Sequence, residues 1–196
     1  MTSWTVVVPI RDPRTGKSRL GLSAGVAAGV ALDTLAAVRA AARVGRVIVV
    51  TDDAGWIGSV EVADQVVLQR EPGLTAAVLE GVAAAGEEAS VAVLLGDLPS
   101  LLPTDLDAAL QRAEAHPLGF VPDAEGTGTT LVTARQASAH RPAFGNGSAM
   151  RHADAGYADL GIPAGSTLRH DVDTLEDLEA AEKRGVGALT RAARRR

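Results

Sequence analysis

Short apolar runs alternate with longer helical patterns along most of this chain, and that alternation constrains its fold more than any other feature. Thr5–Ile10 is a continuous apolar run, the pattern of a strand buried on both faces. The same reasoning predicts strands at Arg46–Thr51, Gln65–Gln69, Val91–Leu95, Leu118–Val121, Thr129–Thr133 and Leu168–Val172. Helices are expected at about 23–44, closed by Gly45, and at Leu74–Ala85, Thr104–Ala115, Ser148–Gly156 and Thr174–Arg184. Thr104 or Asp105 stands near the N-cap of the third, Ser148 caps the fourth, and Thr174 caps the fifth with Asp177 at N3. Strands alternating with helices imply βαβ units, an α/β fold and a mainly parallel sheet.

The 196 residues suit one domain, 1–196, with no repeat or linker. The net charge of −5 argues against nucleic-acid binding, which needs a basic face. The basic tail Arg191–Arg196 reads as a frayed C-terminus. Without cysteine there is no disulfide framework, thiolate zinc site or catalytic thiol. No stretch is apolar enough for a membrane span, since Asp33 and Arg39 interrupt residues 24–44, and the N-terminus lacks a signal-peptide pattern. A cytoplasmic protein is expected by default, with the oligomeric state open between monomer and homodimer.

Parallel sheets bind ligands at the carboxyl ends of their strands, so the residues just beyond each strand matter most. After the first strand come Arg11, Arg14, Lys17 and Arg19, a cationic loop ahead of a helix and a natural cradle for a triphosphate. Lys17 and Lys183 are the two lysines among 19 basic residues, and a lone lysine in such a loop suggests a compact point charge. Gly96-Asp97-Leu98-Pro99 follows the Val91–Leu95 run and places a carboxylate where a metal could sit beside phosphates. In His170-Asp171-Val172-Asp173-Thr174 the two aspartates are two apart in an extended segment, so they share a face; carboxylates that close repel unless a cation lies between them. Asp173 could equally belong to the cap of the following helix.

Two glycine-rich segments offer anion sites. Residues 123–130 combine exposed backbone N–H groups with hydroxyls. Residues 144–152 open a helix with Ser148 as cap and Arg151 in its first turn. His116, His140, His152 and His170 have no metal-ligand spacing and read as surface or supporting residues. A P-loop is the main competitor, because Gly16-Lys17-Ser18 follows a strand and precedes a helix. That motif requires glycine where Arg11 stands, and Pro13 removes an N–H from the cradle. A non-catalytic nucleotide-binding module is the third class.

Taken in order, these segments resemble the family of phosphoenolpyruvate and 2-phospho-L-lactate guanylyltransferases. Those segments are Val8-Pro9 with Lys17-Ser18-Arg19-Leu20, Gly96-Asp97-Leu98-Pro99, Gly126-Thr127-Gly128-Thr129, Phe144-Gly145 with Ser148 and Arg151-His152, and Asp171-Val172-Asp173-Thr174. The resemblance implies a three-layer αβα nucleotidyltransferase of the glycosyltransferase A type. It further implies transfer of GMP from GTP to phosphoenolpyruvate, with 2-phospho-L-lactate as the alternative acceptor, in coenzyme F-420 biosynthesis. By the same resemblance Asp97, Asp171 and Asp173 hold magnesium (Mg2+), and Thr129, Gly145 and Ser148 hold the phosphorylated acid. Lys17, Arg19 and Asp97 are the expected catalytic groups, with Arg11 and Arg151 as further substrate contacts. Arg11 stands where relatives commonly carry lysine, and Thr75 where asparagine is common.

Overall fold

A computed structural model describes residues 2–13, 23–53 and 63–195. Arg14, Lys17, Arg19 and the expected P-loop look-alike lie outside the described residues.

Seven strands form one sheet among the described residues: β1 (Trp4–Pro9), β2 (Val44–Thr51), β3 (Gln65–Leu68), β4 (Val91–Leu94), β5 (Leu118–Pro122), β6 (Thr129–Ala134) and β7 (Ala158–Asp159). Their order is β3-β2-β1-β4-β6-β5-β7. β6 runs antiparallel to both neighbours, and every other pairing is parallel. Because β6 is reversed, its amino end lies beside the carboxyl ends of β4 and β5. The chain leaves β1 toward β2 and β3 and then returns to the other side of β1 for β4. This reversal opens a crevice beyond β1 and β4, the usual ligand site of an open α/β sheet.

Side-chain alternation sorts the core into two layers. Val6, Val8, Ala92 and Leu94 face helices α1 (Ala24–Ala40) and α3 (Pro103–Ala113), while Val7, Val91 and Val93 face α2 (Leu74–Ala85). Ala149 of the short α4 (Ser148–Asp154) and Tyr157 join this second layer. A third cluster joins Val26 and Val30 of α1 to Val172, to Leu178 and Ala181 of α5 (Leu175–Arg184), and to Val186.

Several expectations change. The first helix stops at Ala40, and β2 begins at Val44, because the Asp107 carboxylate accepts the backbone N–H groups of Ala42 and Arg43 and draws the chain out of the helix. α3 is capped by Leu102 with Pro103 in its first turn, while Asp105 accepts both the N–H and the hydroxyl of Thr167. The expected strand at Leu168–Val172 is a 3-10 turn at Thr167–Arg169 followed by an extended segment outside the sheet. Gly147, not Ser148, caps α4; its φ of 70° is a left-handed conformation open to glycine at little cost. Residues 191–194 of the basic tail are helical, not frayed. They end α6 (Ala188–Arg194), whose first N–H groups, from Leu189 and Thr190, donate to the buried carboxylate of Asp33 on α1. The capping box of Thr174 and Asp177 is present as expected.

Candidate active site

Just beyond β4, Gly96 packs against the residue that follows β1: a Cβ there would stand 2.9 Å from Ile10 Cγ1. Only glycine lets the chain turn that close to β1 and present Asp97 to the crevice. The loop beyond is held from several sides. Leu98 N–H donates to Thr34 Oγ1, Gly187 N–H to Pro99 O, and Leu102 N–H to Thr167 Oγ1.

The extended segment 170–173 docks on this loop through one backbone bond, Val172 N–H to Asp97 O at 3.0 Å. Val172 is buried in the third cluster, and its neighbours Asp171 and Asp173 line the cavity. Asp97, Asp171 and Asp173 each bring a carboxylate oxygen to a common point, all within 4.8 Å of one another. Burial first, and then the charges of Asp171 and Asp173, push the Asp97 carboxyl up to about 7. Burial likewise raises Asp171 to about 6, with Asp173 adding to the effect and a backbone hydrogen bond opposing it. Asp97 Oδ1 is sealed from solvent and has no hydrogen-bond partner. Three converging carboxylates and an orphaned buried oxygen suit a hard divalent cation, which relieves the repulsion and takes up the free lone pair.

A cavity of about 690 Å³ contains this triad. One wall is formed by Pro9–Pro13 at and beyond the end of β1, by Gln69 beyond β3, and by Gly73, Leu74 and Ala77 at the start of α2. Arg11 is exposed on that wall. The opposite wall carries Asp123, Thr127–Thr129 and Phe144–Ser148. Asp123 shapes the β5–β6 turn, because its carboxylate accepts the N–H groups of Thr127 and Gly128 at 3.0 and 2.7 Å.

Thr129, at the amino end of the reversed strand, meets Ser148 at the start of α4. Ser148 Oγ donates to Thr129 Oγ1 at 3.0 Å, and His152 Nδ1 lies 3.0 Å from the same oxygen. Gly145 lies in the adjoining loop. The first N–H groups of α4 are already used: Ser148 N–H donates to Gly145 O and Ala149 N–H to Thr127 O. Those two N–H groups are therefore not free for a ligand, and Thr129 and Ser148 supply the paired hydroxyls of this wall. Arg151 is placed behind it, with its guanidinium donating to the carbonyls of Ala143, Phe144 and Asn146. It braces the loop, and the expected reach into the cavity is not seen.

Of the four histidines, expected as surface or supporting residues, two are interior. His140 and His152 are buried, and burial lowers both to about 4. Sequence reasoning missed Gln69, Asp123 and His152. His152 lies one turn after Ser148, a spacing that marks it as a neighbour of that serine; its contact with Thr129 had no signal in the sequence.

A family model described as "Guanylyl transferase CofC like" matches residues 4–189. The phosphoenolpyruvate guanylyltransferase of Streptomyces coelicolor is 42% identical over 200 residues, spanning 96% of this chain and 94% of the relative. That of Geodermatophilus obscurus is 43% identical over 203 residues, spanning 97% and 93%. Among solved structures, a nucleotide-diphospho-sugar transferase-type protein from Desulfovibrio desulfuricans G20 superposes with a TM-score of 0.70 at 17% identity, covering 100% of this chain and 95% of that one. Rv0371c of Mycobacterium tuberculosis in complex with manganese superposes with a TM-score of 0.62 at 19% identity, covering 93% and 98%. At these identities the solved structures establish the fold alone, a mixed, mainly parallel α/β sheet. The match along 4–189, together with relatives at about 40% identity over nearly the whole chain, carries the assignment: this chain belongs to the guanylyl transferase CofC-like family.

Proposed function

We propose that this protein transfers GMP from GTP to phosphoenolpyruvate, giving enolpyruvyl-diphospho-5'-guanosine and pyrophosphate. The observation that carries this reading is one cavity in which an acidic triad stands between a wall that carries Arg11 and a wall that carries Thr129 and Ser148. Near-full-length relatives bearing the name phosphoenolpyruvate guanylyltransferase supply the acceptor. The resemblance of the motifs supplies the setting, coenzyme F-420 biosynthesis.

GTP lies with its base toward Gln69, Gly73 and Leu74 and its phosphates toward Arg11; Lys17 and Arg19, outside the described residues, are further phosphate contacts expected from the sequence. Thr129, Gly145 and Ser148 hold the phosphorylated acid on the facing wall. Asp97, Asp171 and Asp173 hold magnesium. When bound, that ion supplies charge neutralisation at the phosphates. The acceptor's phosphate is an anion at neutral pH, so its oxygen needs no general base. It attacks the α-phosphorus in line; the new P–O bond forms as the bond to the β-phosphate bridging oxygen breaks, and pyrophosphate departs with that electron pair. The side chains act by positioning and by compensating charge.

The test is mass spectrometry of reactions containing GTP, magnesium and equimolar phosphoenolpyruvate and 2-phospho-L-lactate, with pyrophosphate release measured across four nucleotides. A dominant enolpyruvyl product with GTP is expected. A dominant lactyl product, or none with either acid, overturns the acceptor; GTP hydrolysis without acceptor overturns the transferase reading.

A further inference from the structure

The Thr129–Ser148 pair is governed from behind by a residue outside the cavity lining. His152 is fully buried, and both of its ring nitrogens are engaged. The backbone N–H of Ala143 donates to Nε2 at 2.9 Å. A backbone N–H can only donate, so Nε2 must be the unprotonated nitrogen. Burial keeps the ring neutral near pH 7. Its one N–H is then at Nδ1, 3.0 Å from Thr129 Oγ1.

Counting protons gives the consequence. The two hydroxyls bring two protons, and the Ser148–Thr129 bond uses one. If Nδ1 accepted from Thr129, the second would also be used, and the pair would offer the cavity no donor. With Nδ1 donating, one hydroxyl proton remains, and both Thr129 and Ser148 are buried residues that line the cavity. We propose that His152 is a positioning residue: by donating from Nδ1 to Thr129 it keeps one hydroxyl proton of the Thr129–Ser148 pair free to hydrogen-bond an anionic oxygen of the acceptor. The Ala143 N–H sets this polarity, and the Phe144 ring, edge-on to the imidazole with centroids 5.3 Å apart, holds the ring in place. The same histidine thus ties the 143–147 loop to the strand end, and loop placement and hydroxyl polarity are set by one side chain.

This inference rests on the acceptor-site reading above, so its test separates the two. In the intact protein labelled with 15N-histidine, long-range 1H–15N spectra report the tautomer; Nδ1–H at His152 is expected, and Nε2–H overturns the proposal even where no variant folds. Asn places an amide nitrogen near the Nδ1 position, whereas Gln reaches the Nε2 position and leaves Thr129 without its donor. His152→Gln should raise the acceptor KM about tenfold or more with the GTP KM within about twofold, while His152→Asn stays within about threefold of wild type on both. Equal losses in the two variants, or an unchanged acceptor KM in folded His152→Gln, would mean a structural role only and overturn the proposal. Ser148→Ala discriminates the underlying reading. An unchanged acceptor KM there sinks the acceptor site and this proposal together; a raised one beside a normal His152→Gln sinks the proposal alone.

Discussion

The backbone N–H of Val172 donates to the carbonyl of Asp97 at 3.0 Å, and this bond joins the two halves of the acidic triad. Val172 points into an apolar cluster, so its neighbours on either side, Asp171 and Asp173, are turned toward the Asp97 carboxylate. The triad is thus assembled by a buried valine and one main-chain bond, without any sheet pairing of the 170–173 segment.

Replacing one of these carboxylates should trade activity for stability. Asp97→Asn keeps the shape but removes an anionic ligand, and turnover should fall at least ~100-fold. Steady-state kinetics of the folded variant at saturating magnesium check this, and activity near wild type would refute the triad's role.

The same substitution should leave a pH signature in metal-free protein. Burial holds the Asp97 carboxyl up at about 7 in the folded protein, against 3.8 for a free aspartate, so its contribution to stability is complete below about pH 4 and is lost as pH rises through about 7. Buried His140 and His152, lowered to about 4, work in the opposite sense, costing stability as pH falls from 6.5. They are common to both proteins and cancel in the difference. In EDTA, Asp97→Asn should therefore melt higher than wild type at pH 8, and the gap should close toward pH 4. Magnesium should raise the wild-type Tm at pH 8 and leave the variant nearly unmoved. A gap independent of pH is the contrary result.

Arg11 faces the cavity from the end of β1. Arg11→Ala should raise the KM for GTP roughly tenfold, the scale of a charged hydrogen bond, with little change for the acceptor. Lys17→Ala is expected to act in the same direction. Titration calorimetry with GTP in the absence of acceptor measures both, and unchanged affinity makes them surface residues.

Asp33 tests the C-terminal helix. Its carboxylate accepts the N–H groups of Leu189 and Thr190 at 3.1 and 2.8 Å. Asp33→Ala leaves both without partners and should cost about 1–2 kcal/mol in urea denaturation. The KM values should stay near wild type, because α6 lies away from the cavity wall; a stability equal to wild type would show that water replaces the cap.

Much was legible in the sequence for a physical reason. Strands buried on both faces read as apolar runs, so β1, β2 and β4 were visible, as were Arg11 and Asp97 just beyond β1 and β4; the paired aspartates Asp171 and Asp173 were legible from their spacing alone, in a segment that joins no sheet. α2 was visible to the residue, because Gly73 and Gly86 bound an uninterrupted helical pattern. What the sequence could not contain was the choice among competing hydrogen-bond partners. Asp107 decides that the first helix ends at Ala40; Asp33, read as an interruption, proves to be the cap of a helix at the other end of the chain. Arg151 and His152 both sit in a plausible anion loop, yet the carbonyls of residues 143–146 take the arginine and the Thr129 hydroxyl takes the histidine. Local propensity and burial pattern are properties of neighbouring residues and survive in one dimension. The partner of a buried polar group depends on which distant segment arrives beside it, and only the packed tertiary structure decides that.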